Sequence, residues 1–111
     1  MNRAERDADR LDTVRSKLAM KAALIIREQE QVVEASNKGI KQLNRDLRAL
    51  RRRLEGRKEG PYDETYYGLK DRYANKIAER AVLESARVIA EESIVAAKLH
   101  VIPGEFDRSE Y

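Results

Sequence analysis

Residues 2–54 read NRAERDADRLDTVRSKLAMKAALIIREQEQVVEASNKGIKQLNRDLRALRRRL, a run of 53 positions without proline in which apolar side chains recur at steps of three and four. That spacing places them on one face of a helix. Gly56 to Pro61 interrupts the pattern, and a second helical run extends from about Asp63 to Ile102. A helix of about 53 residues rises about 80 Å, whereas a compact globule of about this chain length has a radius of gyration near 13 Å. A two-helix hairpin does not bury so long a stripe by itself. The sequence therefore predicts an all-α, elongated antiparallel helical hairpin, coiled-coil-like. One helix covers about 2–55 and the other about 63–102, packed into an oligomer or a larger assembly.

Composition agrees. The chain has 111 residues, of which 39% are charged and 5% aromatic, and it contains no cysteine. A single domain of this make-up has too few large apolar side chains for a thick core, yet its apolar residues are patterned, which argues against disorder. Ala, Leu, Glu, Arg and Lys dominate, as in long helices. The absence of cysteine removes disulfides, thiolate nucleophiles and Cys-based metal sites. The start, MNRAERDADR, has no apolar core of a signal peptide. Residues 82–102 are apolar but carry Glu84, Arg87, Glu91, Glu92 and Lys98, which argues against a membrane span. These features predict a cytoplasmic or otherwise intracellular protein, which fits a place in a particle or large complex.

In the first helix the expected seam is Leu11, Val14, Leu18, Ala22, Ile25, Gln29, Val33, Ser36, Ile40, Leu43, Leu47, Leu50 and Leu54. Several of these recur at eleven, as Ala22 and Val33 do, and an eleven-residue period favours a straight or slightly right-handed coil. Ser36-Asn37-Lys38-Gly39 is the weak point, since Asn or Gly can cap a helix there. The seam keeps its phase through it, so a continuous helix is expected, with a three-helix bundle as the alternative. Gly56 and Gly60 flank the turn (56–61), Asp63 is the expected N-cap of the second helix, and Pro103-Gly104 ends it. Folding about Arg57–Glu59 pairs positions whose numbers sum to roughly 118. Residues 1–15 then overhang as a charged arm, and 103–111 form an acidic tail.

The second helix is apolar on more than one face between Ala81 and Ile102. Small residues align at Ala78, Ala81, Ser85, Ile89, Ser93 and Ala96, a row that favours close helix approach. A further apolar row includes Val82, Leu83, Ala86, Ala90, Ile94, Ala97 and Val101. A helix of this kind packs against more than one neighbour. The first helix supplies one, and a second copy or another protein subunit must supply the other. The expected protein interface is Val82, Leu83, Ala86, Ile89, Ala90, Ile94, Ala97 and Val101.

A basic run is the strongest local signal. Lys41, Arg45, Arg48, Arg51, Arg52, Arg53, Arg57 and Lys58 outweigh Asp46 and Glu55, giving this segment +6 in a chain whose total is +3. Tyr62, Tyr66, Tyr67 and Tyr73 are expected opposite it. Cations beside aromatic rings suit phosphates and bases. The plainer reading is a solvated helix face with surface ion pairs. Docking on an acidic protein surface is a further possibility. The candidate contact set is Arg45, Arg48, Arg51, Arg52, Arg53, Arg57, Lys58, Tyr66 and Tyr67.

Catalytic chemistry has little to stand on. His100 is the lone histidine, and Glu91 and Glu92 point about 100° apart on a helix. Glu30 and Glu34 share a face without further carboxylates at matching spacing. No phosphate-binding glycine loop, cofactor motif or metal-ligand cluster is evident. The expectation is a non-catalytic structural or assembly protein, without cofactor or metal. It docks on copies of itself or on other protein subunits through its second helix. The alternative is a small nucleic-acid-binding protein using segment 41–58 and the facing tyrosines.

Overall fold

The computed structural model describes the backbone of residues 2–101 and the side chains of residues 2–99. Two α-helices, α1 (Arg3–Glu55) and α2 (Glu64–Val101), form an antiparallel hairpin. The expected C-terminal stop at Pro103-Gly104, the acidic tail and the side chains of His100 and Val101 lie outside the described residues.

Local chemistry sets the ends. Asn2 caps α1: its side chain accepts the Glu5 backbone N–H at 2.9 Å, and the Glu5 carboxylate accepts the Asn2 N–H at 3.3 Å. This reciprocal box satisfies two donors that a helix start would otherwise leave bare. After Glu55 the chain turns through hydrogen bonds from the N–H groups of Arg57, Lys58 and Gly60. Gly60 sits at φ +91°, a conformation that disfavours any side chain. The Gly60–Pro61 peptide is cis. Asp63 caps α2 as expected, its carboxylate accepting the Tyr66 N–H at 3.1 Å and pairing with Arg57 at 3.0 Å. The backbone hydrogen bond to Tyr66 and the nearby Arg57 charge hold the Asp63 carboxyl below its ordinary 3.8.

The chain packs as two units. One is Val32–Val88, and the other takes the described parts of Met1–Gln31 and Ile89–Tyr111. In the Val32–Val88 unit, α1 turns Val33, Ser36, Ile40, Leu43, Leu47, Leu50 and Leu54 inward. From α2 come Tyr66, Leu69, Tyr73, Lys76, Arg80, Leu83 and Arg87. Both rows step by three and four with a period of seven. α1 passes through Ser36–Gly39 without a break, because Ser36 is itself buried in the seam and Gly39 lets Leu83 approach. A Cβ on Gly39 would lie 2.7 Å from Leu83 Cδ1.

The register differs from the expected one. Asn44 accepts a hydrogen bond from Arg80 at 2.9 Å and Asn37 accepts one from Arg87 at 3.1 Å, pairs whose numbers sum to 124. The hairpin is thus offset by more than one helical turn from the sum of 118. The connection alone does not set this: α1 ends at Glu55 and α2 starts at Glu64, numbers that sum to 119, so the offset comes from how the side chains of the two helices interlock. Lys76 and Arg80 occupy the α2 seam. Lys76 reaches Asp46 at 3.8 Å, while Ile77 is exposed.

In the other unit, α1 presents Ala19, Ala22, Ile26 and Gln29, and α2 presents Ala90, Ser93, Ile94 and Ala97. The buried apolar side chains here are Ala22, Ala90 and Ala97. Ile25, expected in the seam, is 43% exposed, and Ile26 takes its place. The eleven-residue spacing of Ala22 and Val33 is seven plus four, so the seam follows the heptad. Residues 2–18, which include the expected arm, are exposed along their whole length.

Candidate functional site

Two surfaces stand out, one in each unit. The first is apolar. In the unit of Met1–Gln31 and Ile89–Tyr111, Leu11, Val14, Leu18, Met20, Leu24 and Ile25 are exposed on α1, and Ile89, Val95 and Leu99 on α2. On α1, a furrow of about 420 Å³ is lined by Val14, Lys17, Leu18, Met20, Lys21 and Leu24. The heptad accounts for this. Half of the eight inward positions of this unit are alanine, with Ile26 and Ile94 the large apolar side chains among them, so most of the larger side chains fall outside. On α2, the row Ile89, Val95 and Leu99 is accompanied by Glu91 and Glu92.

The eight expected interface residues divide accordingly. Val82 and Ile89 are 67% and 62% exposed. Ala90 and Ala97 are buried and Leu83, Ala86 and Ile94 half-buried. With two helices in the described chain, that burial is against α1, so these five belong to the hairpin seam. Val101 lies outside the described side chains. The small-residue row is also turned outward: Ala78, Ala81, Ser85, Ile89 and Ala96 are exposed, and Ser93 alone is half-buried. Val88, Val95 and Leu99 are exposed members of the outer face that the sequence reading passed over. The seven-residue repeat of the seam would have found them, because it puts 88 and 95, and 82 and 89, opposite the buried positions.

The second surface is basic and lies in the Val32–Val88 unit. A furrow of about 590 Å³ runs along one flank of the hairpin, lined by Lys41, Asn44, Arg45, Leu47, Arg48, Arg51, Tyr73 and Arg80. No carboxylate lines it. A second hollow of about 420 Å³ adjoins it through shared Arg51 and Tyr73, adding Leu54, Glu55, Lys58, Tyr66 and Lys70. Arg51 reaches Glu55 at 3.4 Å, and Arg80 reaches Glu84 at 3.8 Å. The Lys70 ammonium lies 5.4 Å from the centre of the Tyr66 ring, and Tyr66 also meets Tyr67 edge to face. The Tyr62 hydroxyl donates to the Lys58 carbonyl.

The opposite flank is mixed in sign. There Lys76 lies 3.8 Å from both Asp46 and Glu79, and Arg53 and Arg72 line a hollow with Glu64. The basic run is thereby sorted. Arg45, Arg48, Arg51 and Lys58 share the basic flank with Tyr66. Arg53 falls on the other flank, Arg52 is exposed, and Arg57 is held by Asp63. Tyr67 lies exposed beside Tyr66. Lys70 and Arg80 come from α2, outside the basic run.

Among the described residues no group of His, Cys, Asp and Glu is placed to hold a metal ion, and no helix is long and apolar enough to cross a membrane. No known protein family, curated protein or solved structure matches the chain.

Proposed function

We propose that this protein is a non-catalytic assembly module, a helical hairpin that associates with a second copy of itself through the outer faces of its Met1–Gln31 and Ile89–Tyr111 unit. The observation that carries this reading is the distribution of side-chain size there: the buried apolar residues are Ala22, Ala90 and Ala97, while nine Leu, Ile, Met and Val side chains are exposed. Fully burying a wholly exposed side chain of this size stabilises by about 1.5–3 kcal/mol, so one already about half-covered contributes about 0.7–1.5 kcal/mol. Association costs about 4–15 kcal/mol, so burial of most of the nine exposed side chains on each copy offsets it.

Charge favours a second copy as the occupant. The α1 face is apolar with Lys17 and Lys21 beside it, and the α2 face is apolar with Glu91, Glu92 and Lys98 beside it, a net charge of −1. Each molecule thus carries both halves of a matched pair. A two-fold arrangement in which each α1 face meets the other copy's α2 face satisfies both at once. Four helices packed in this way form a bundle whose core is the outer apolar rows.

Light scattering on the purified chain tests the reading. The expected result is an oligomer at micromolar concentration, and Ile89→Glu and Leu24→Glu each give monomers that keep their helical circular dichroism. Both positions are exposed, so the substitutions spare the hairpin seam; Ile94→Glu would not, because Ile94 is in it. A monomeric wild-type chain at that concentration refutes the proposal.

A further inference from the structure

We infer that the basic flank of the Val32–Val88 unit is a binding groove for single-stranded nucleic acid. The residues are independent of the outer apolar faces, so the two proposals stand or fall separately.

The charge arrangement is one-sided. Lys41, Arg45, Arg48 and Arg51 project from the same side of α1 at intervals of four, three and three residues. They span about 15 Å at 1.5 Å per residue. Arg80 closes the groove from α2. Its guanidinium is steered by the hydrogen bond from Nη1 to Asn44 across the seam, and its Nε lies 3.8 Å from Glu84, so the remaining donors of the fork are left for a ligand. Lys41, Arg45 and Arg48 have no carboxylate within ion-pair distance among the described residues. Three neighbouring cations without counter-charges raise the local potential and draw in a polyanion. The guanidinium fork suits phosphate oxygens in particular.

Two features choose the class of polyanion. Tyr73 is half-buried in the groove itself, with part of it open to solvent, and Tyr66 is half-buried in the adjoining hollow, where its ring meets Tyr62, Tyr67 and the Lys70 ammonium. Rings beside a cationic track provide stacking platforms for bases, an arrangement that tolerates any sequence. An acidic protein segment would use the cations and leave the rings idle. The site is also a furrow shared by two helices. A duplex major groove, about 12 Å wide, admits one helix and so does not match it. A single strand fits, with its phosphates along Lys41 to Arg51 and its bases towards the tyrosines.

Fluorescence anisotropy with a labelled mixed-sequence single strand of about 12 nucleotides tests this, at a length within the usual single-strand site size. Poly-glutamate and a duplex of the same sequence serve as competitors. The single strand is expected to bind, with a slope of log K against log salt of about −3 for four or five phosphate contacts. Arg45→Gln with Arg48→Gln should weaken binding at least about tenfold and flatten the slope by roughly 1.4. Tyr73→Leu should weaken binding about fivefold or more and leave the slope unchanged, because the lost contact is stacking. Arg53→Gln with Arg72→Gln, on the opposite flank, should change neither, and circular dichroism should show all variants equally helical. The inference is overturned by any one of four results. These are no binding at low salt, preference for the duplex, equal competition by poly-glutamate, or equal loss in the Arg53 and Arg72 variant.

Discussion

Gly39→Ala tests the register of the hairpin more sharply than any deletion. In the native chain Leu83 Cδ1 fills the space where a Cβ would stand, 2.7 Å from its ideal position. Carbon atoms in favourable contact lie about 3.5–4.0 Å apart, so the new methyl requires a shift of about 1 Å. Leu83 is half-buried and can swing outward, which trades a clash for lost packing. Overpacking of this kind costs about 1–3 kcal/mol. Against it stands the helix preference of alanine over glycine, about 1 kcal/mol. The single substitution should therefore destabilise by about 0–2 kcal/mol, too small a window to decide anything alone. A double-mutant cycle with Leu83→Ala isolates the contact. Without the Leu83 methyl groups, Gly39→Ala should stabilise by the full helix term of about 1 kcal/mol. The coupling between the two sites should then be about 1–3 kcal/mol. Urea denaturation followed by circular dichroism measures it, at one fixed protein concentration because self-association adds to apparent stability. If Gly39→Ala stabilises both backgrounds by the same amount, Leu83 does not face Gly39 and the register is wrong.

Other outcomes follow from the same packing. Leu47→Ala, in the leucine seam, should cost about 2–4 kcal/mol, more than Ile26→Ala at a half-buried position, as read by urea midpoints. Ala90→Leu places a large side chain where 1% of the alanine is exposed, and should lower stability by about 1–3 kcal/mol despite its added hydrophobic area. The Asp63 carboxyl, held below its ordinary value first by the Tyr66 N–H and then by Arg57, favours folding above that ordinary value. This contribution is lost as pH falls through the depressed value. Asp63→Asn should keep the cap and flatten the acid limb of a melting-temperature profile, whereas Asp63→Ala should lower the melting temperature at neutral pH as well.

What the sequence determined by itself is the secondary structure and the identity of the hairpin. Proline-free helical periodicity, the glycines about Arg57–Glu59 and the Asp63 cap are local signals, and local hydrogen bonding answers them directly. The continuity of α1 through Ser36–Gly39 was legible for the same reason, because the apolar phase survives there. The outer apolar character of residues 81–99 was legible as composition but not as orientation. Only the tertiary structure decided which row of α2 meets α1. The choice between Ile25 and Ile26, or between Ile77 and Lys76, turns on register, and a shift of a few residues rotates a whole face. Register depends on how many residues the turn consumes and on pairs such as Asn44 with Arg80, whose members are 36 residues apart. The basic groove is completed in the same way: Arg80 and Lys70 join the α1 row of Lys41, Arg45, Arg48 and Arg51 through the packing of two helices, and no spacing along one helix could place them there.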